Sequence, residues 1–217
     1  MKFKTLDADI DLTIDHLFVA GWTGRNKEAV DHHIEELRAL GISPPSQVPL
    51  YYRVSGLLLT QATTIDVLGA GTSGEVEPLL IQKDGKIWIG LASDHTDRDL
   101  ETHSVAASKQ ACPKPVASEL WRLTEVEDHL DSLILRCWTD KGGKWGLYQE
   151  GELSNIRPLS ELISNSGFGD NAAMLCGTLG AIGGVRPASR YRMELVDPVL
   201  DRKIQLNYSV TKLPIVE

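Results

Sequence analysis

The chain has 217 residues, of which 42% are hydrophobic and 24% charged, and its formal net charge is −8. That composition is ordinary for a globular protein, and the length suffices for one generous domain or two small ones. With an acidic balance and no Lys/Arg stripe or basic tail, a nucleic-acid protein is excluded. No stretch approaches the roughly 20 apolar residues of a membrane span, and Met1 to Asp7 lacks the apolar run of a signal peptide. Cys112, Cys137 and Cys176 are odd in number and widely spaced. They form neither a disulfide framework nor a zinc motif, which predicts a reducing, cytoplasmic setting.

Residues 8 to 20 alternate, with Ile10, Leu12 and Ile14 against Asp9, Asp11, Thr13 and Asp15, and then turn continuously apolar. Period two predicts a strand. Asn26 is a fair N-cap for a helix of about 14 residues in which Val30, His33, Ile34, Leu37 and Leu40 recur at helical spacing until Gly41. A proline-rich linker follows, then a strand at Leu50–Val54 and short strands at Leu57–Leu59 and Ile65–Leu68. Gly69–Gly74 reads as a turn-rich loop. Glu75 to Leu91 reads as two strands joined by Asp84-Gly85, a strong two-residue hairpin signal.

Residues 100 to 118 read as loop, with Pro113 and Pro115 blocking regular structure. A second hairpin is expected over Leu133–Trp138 and Lys144–Gln149, turning at Gly142-Gly143. Pro158–Ser164 should be a short helix, Ala172–Cys176 a buried strand, and Tyr191–Val196 and Lys203–Val210 two more alternating strands. The fold class expected is mixed α+β, rich in β, in a single domain over 1–217.

The chemistry concentrates between Glu75 and Lys109. Glu75 and Glu77 stand at i and i+2 on an expected strand, so they share a face, and two like charges there repel unless a cation or protons intervene. A hard divalent cation such as Mg²⁺ or Mn²⁺ would relieve that repulsion, and the hairpin folds Asp94 back beside the pair. The bland alternative is a solvated strand face. Arg98, amid Asp94, Asp97, Asp99 and Glu101, is either a substrate-orienting cation or a surface salt bridge. Lys109 is either a clamp for a carboxylate or a surface lysine. His33 and Glu36 lie at i and i+3 on the helix, the spacing of a base and its orienting acid, or merely of a polar helix face. The Gly177-Thr178-Leu179-Gly180 turn could hold an anionic group or simply turn the chain.

In this order the pieces resemble the fumarylacetoacetate hydrolase superfamily, and in particular its short relatives of the DUF2848 type. The family signature N-D-x-S-x-R-D-x-Q is similar to Ser93-Asp94-His95-Thr96-Asp97-Arg98-Asp99-Leu100-Glu101. The preceding E-x-E resembles Glu75-Val76-Glu77. The later lysine segment is similar to Ser108-Lys109-Gln110-Ala111, and the T-G-T-P-x-G turn to Cys176–Gly180. Upstream, G-R-N-Y…H-x-x-E-L resembles Gly24-Arg25-Asn26 with His33–Leu37, and F-x-K-P resembles Tyr51-Tyr52-Arg53-Val54.

The resemblance implies a β-sandwich or roll like the family's C-terminal domain, with residues 22–48 as a lid. It implies that Glu75, Glu77 and Asp94 bind Mg²⁺ or Mn²⁺. Arg98, Glu101, Thr178 and Arg53 would contact a small carbonyl acid, Lys109 would polarise it, and His33 with Glu36 would activate water. His32 with Glu35 is nearly as well placed. The implied activity is hydrolysis of a C–C bond in a 1,3-dicarbonyl or acylpyruvate-type acid. Decarboxylation, isomerisation, or ligand binding without turnover are the alternatives, since fold alone does not fix the reaction. A homodimer is expected by the same resemblance. Three signature positions depart from the family: Ser93, Thr96 and Glu101 stand for Asn, Ser and Gln. Glu101 puts an acid where a neutral amide usually meets substrate, which suggests a less anionic or differently oriented ligand.

Overall fold

The structure is a computed structural model that describes residues 1–39 and 44–216, the side chains of His33, Glu36, Leu37 and Ala39 excepted. Two sheets form its frame. The first has six strands in the order Trp121–Arg122, Lys86–Ser93, Val76–Lys83, Ala172–Leu175, His16–Gly21 and Leu50–Val54. The second has five, in the order Lys144–Glu152, Ile134–Lys141, Arg190–Asp197, Arg202–Leu213 and Thr64–Leu68.

Alternation explains how they pack. Phe18, Leu80, Ile89 and Met174 from the first sheet meet Leu135, Cys137, Tyr148, Met193, Leu195 and Ile204 from the second in one core. The opposite parity of the first sheet, including Leu17, Val19, Leu79, Ile81 and Leu175, packs under Phe3, Leu12, Val116 and Leu120. The six-stranded sheet is therefore covered on both faces, which is why Ala172–Leu175 is buried at every residue. Each fully buried Leu or Ile in these layers contributes about 1.5–3 kcal/mol from removal of apolar surface from water.

The Asp84-Gly85 hairpin forms as expected. Lys83 pairs with Lys86 across it, and φ is +49° at Asp84 and +69° at Gly85, the left-handed pair of a type I′ turn. The second hairpin, the helix at Leu159–Ser166 and the last two strands also form. Asn26 caps the helix α1, Lys27–Ala39, accepting from the Ala29 N–H at 3.1 Å. Its expected end at Gly41 lies outside the described residues.

Three expectations need correction. The strand read over residues 8–20 is two, Asp9–Asp11 and His16–Gly21, because residues 12–15 leave the ladder. Leu57 and Leu58 sit in a 3₁₀ turn over Gly56–Leu58, where the Ser55 side chain accepts from the Leu57 N–H; only Leu59–Thr60 is strand. Residues 100–118 are not mostly loop. Asp97 caps α2, Arg98–Glu101, and Ser104 caps α3, Val105–Gln110, before the prolines. Side-chain capping supplies the partners that such short helices lack internally. Among the described residues no helix is long and apolar enough to cross a membrane, and the three cysteines are buried and free.

Candidate active site

At one end of the six-stranded sheet the strand Val76–Lys83 begins, and Lys86–Ser93 and Ala172–Leu175 end. The hairpin register sets Val76 opposite Ser93, and the Asp94 N–H donates to the Glu75 carbonyl at 3.0 Å, so Glu75, Glu77 and Asp94 are brought to the same mouth. Glu77 is buried, and its Oε2 accepts from the Gly177 N–H at 2.8 Å. That amide comes from the turn after Leu175, where φ of Gly177 is +97°.

Asp94 is fully buried between two lysines. Lys109 Nζ on α3 donates to Oδ2 at 2.5 Å, and Lys114 Nζ lies 3.0 Å from Oδ1. Lys114, itself fully buried, also donates to the His95 carbonyl at 2.5 Å. Beside this cluster Arg98 joins two acids. Its Nη2 lies 2.8 Å from Glu75, its Nη1 2.8 Å from Glu101, and its Nε donates to Ser73 Oγ at 2.7 Å.

The charges follow from these contacts. Burial and the neighbouring Asp94 push the Glu77 carboxyl well above the usual range, and Lys109 and the Gly177 N–H oppose them only in part. Burial also works against ionised Asp94, but the two lysines outweigh it and hold its carboxyl below the ordinary value. Burial works against the Lys109 ammonium, yet Asp94, Glu77 and Glu75 raise it above the usual lysine range, so it stays cationic. Burial, with repulsion from Lys109, lowers Lys114. Burial, with Lys114 and Arg98 nearby, takes His95 down to about 3, so its imidazole is neutral.

The three expected metal ligands share this mouth but do not form one coordination sphere as they stand. Among the described residues no three acid, imidazole or thiol groups are gathered closely enough to hold a metal. The reason is electrostatic: Arg98 draws Glu75 and the lysines draw Asp94. The donor chemistry nevertheless suits a hard cation. Glu77 is a buried acid whose charge is only partly compensated, and Asp94 is a second buried carboxylate beside it. The oxygens present are those that Mg²⁺ and Mn²⁺ take.

The other expected residues divide. Lys109, Arg98 and Glu101 are at the site. Thr178 is beside it, but its hydroxyl donates to the Val76 carbonyl and accepts from Gln149 Nε2, both at 2.8 Å, so it braces the turn. Arg53 is on the wrong parity: its guanidinium lies 4.1 Å over the Phe18 ring, toward the inter-sheet core. Its neighbour Tyr52 faces the site instead, 5.6 Å from Lys109 Nζ. The side chains of His33 and Glu36, on α1, lie outside the described residues, and so the proposed dyad has no geometry here.

Sequence reasoning missed Lys114, which sat in a presumed loop between two prolines. It also missed the polar shell behind Asp94. There His95 Nδ1 is 3.0 Å from the Tyr208 hydroxyl and Nε2 is 2.9 Å from Thr72 Oγ1, while Ser93 Oγ is 2.9 Å from the same Tyr208. Tyr208 stacks on Tyr191 with ring centroids 4.9 Å apart.

A family profile described as protein of unknown function, DUF2848, matches residues 20–208. The chain belongs to the DUF2848 family. No curated protein matches it. Solved structures share its fold. A Yeast protein, ynq8, of the fumarylacetoacetate hydrolase family aligns at TM-score 0.67 with 16% identity, over 94% of this chain and 95% of its own. A proposed fumarylpyruvate hydrolase from Burkholderia cenocepacia aligns at 0.66 with 17% identity, over 98% and 95%. A 2-keto-3-deoxy-D-arabinonate dehydratase, complexed with magnesium and 2,5-dioxopentanoate, aligns at 0.65 with 14% identity, over 94% and 75%. At these identities the likeness is one of fold: this DUF2848 chain has the β-rich fumarylacetoacetate hydrolase architecture.

Proposed function

We propose that this DUF2848 protein is a divalent-metal-dependent hydrolase that cleaves a C–C bond in a 1,3-dicarbonyl or acylpyruvate-type acid. The observation that carries the reading is the buried Glu77–Asp94–Lys109 cluster beside the Glu75–Arg98 pair. A magnesium complex among the fold neighbours, and another neighbour proposed to act on fumarylpyruvate, support it.

Glu77 and Asp94, with Glu75 once released from Arg98, would hold Mg²⁺ or Mn²⁺. When bound, such a cation supplies Lewis-acid polarisation of substrate carbonyls. Lys109, kept cationic, offers its charge to the enolate oxygen that develops as the C–C bond breaks. In this scheme His33, oriented by Glu36, accepts the proton of the attacking water, and the scission electron pair leaves as pyruvate enolate, which a proton then completes.

The test is hydrolysis of acetylpyruvate with and without Mg²⁺, for the native protein and Asp94→Asn, with Mg²⁺ binding followed by calorimetry. Metal-dependent turnover that falls by about a hundredfold or more in the variant is expected. Turnover indifferent to both would overturn the reading. The dehydratase neighbour makes lyase chemistry the competing reading, and identification of the products separates the two.

A further inference from the structure

We infer that Glu101 sets the charge of the substrate: the site takes a 2-oxo acid with a single carboxylate and an uncharged tail, and turns away dicarboxylates. This rests on the carbonyl-acid reading above. The argument begins with Arg98, the cation best placed by sequence to grip a second carboxylate. Each of its three nitrogens already faces a partner, Nη1 and Nη2 at 2.8 Å from Glu101 and Glu75, and Nε at 2.7 Å from Ser73. A bidentate grip on a substrate carboxylate needs two parallel N–H groups of the guanidinium, and the two acids already stand at Nη1 and Nη2.

The lysines are equally engaged. Lys109 and Lys114 share Asp94 at 2.5 and 3.0 Å, and Lys114 is inaccessible to any ligand. Arg186, packed 4.7 Å over the Tyr148 ring, commits Nη1 to the carbonyls of Ile182 and Gly184. The cluster thus sets Glu75, Glu77, Asp94 and Glu101 against Arg98, Lys109 and Lys114. Every one of these cations is already paired with an acid of the cluster. A second substrate carboxylate would enter a partly buried site with no unpaired cation among these groups and with Glu101 repelling it, a costly placement for an unpaired charge. Glu101 is the acid to blame because it touches Arg98 while serving no other partner among the described residues.

The experiment compares Glu101→Gln and Glu101→Asp with the native protein. Acetylpyruvate and fumarylpyruvate, which differ by a carboxylate, serve as substrates. Binding of 2-oxobutyrate and 2-oxoglutarate, followed by calorimetry in the presence of Mg²⁺, gives a readout independent of turnover. The native protein should favour the monocarboxylate of each pair. Glu101→Gln, which removes the negative charge beside Arg98 Nη1, should shift both ratios toward the dicarboxylate by tenfold or more, and Glu101→Asp should keep the native preference. Equal ratios in the native protein and Glu101→Gln, with both folded, would overturn the inference. If no protein turns over either substrate but the binding ratios still shift, the hydrolase reading fails and the charge rule stands.

Discussion

Replacing Gly177 by alanine tests whether the amide that meets Glu77 is rigidly placed. The backbone there has φ of +97°, and a Cβ built on it would lie 1.7 Å from Thr23 Oγ1 and 2.7 Å from Thr23 Cβ. An L-residue held in that conformation costs about 1–3 kcal/mol. Thr23 is only 4% exposed and cannot swing clear, so the overlap adds about 1–3 kcal/mol more of overpacking. The total of about 2–6 kcal/mol corresponds to a fall in Tm of about 5–20 °C for a chain of this size. Gly167 provides the control. Its φ is +74°, but nothing lies within 4 Å of its added Cβ, so Gly167→Ala carries the backbone cost alone and should lose only a few degrees. Thr23→Ala removes Oγ1 and Cγ2 and should restore part of the loss when combined with Gly177→Ala. Differential scanning calorimetry of the four proteins decides the matter. A Gly177→Ala protein no less stable than Gly167→Ala would show that the turn relaxes freely, and would refute a fixed amide at Glu77.

Lys114→Met should be strongly destabilising, by about 3–5 kcal/mol, because it removes one of two buried cations from Asp94 and the donor to the His95 carbonyl; a urea midpoint unchanged at constant slope would contradict this. Asp197, far along the second sheet, governs an acid limb of stability. Burial works against its ionisation, but the Leu200 N–H, His129 and Arg202 outweigh burial and hold its carboxyl below the ordinary value of 3.8. Its folded value being depressed, its stabilisation is complete above the unfolded value and is lost as pH falls through the folded one. Asp197→Asn should therefore be less stable near neutrality, by about 1–3 kcal/mol, and its urea midpoint should fall less steeply below about pH 4. Parallel pH profiles for the two proteins would exclude this account.

The parts of the fold that were legible in the sequence are those governed by local rules. Asp84-Gly85 needs no distant partner to make a type I′ turn, and alternation at Tyr191–Val196 or the unbroken apolar run at Ala172–Leu175 records which faces are covered. Where reading failed, tertiary contacts or capping decided. Leu57 looked like strand until the Ser55 side chain took its N–H, and residues 100–118 looked mostly like loop although Asp97 and Ser104 were available as N-caps. Those two residues were the signal that could have found α2 and α3. Arg53 was misplaced by motif likeness when period two, counted from Phe18's pairing partner, would have turned Tyr52 to the site.

The site was legible as a list of charges and illegible as a set of pairings. Spacing could bring Glu75, Glu77 and Asp94 to one mouth, because a hairpin of known turn fixes who faces whom. It could not say that Arg98 would draw off Glu75, or that Asp94 would sit between two lysines. Those outcomes depend on desolvation, which makes every buried carboxylate compete for the nearest cation. Lys114 shows the consequence most plainly. Between Pro113 and Pro115 it reads as the most solvent-seeking residue of a loop, yet it is fully buried, because Asp94 and the His95 carbonyl together replace its water. With Lys114 on Oδ1 and Lys109 on Oδ2, one buried carboxylate is shared between two lysines, an arrangement that no spacing in the sequence encodes.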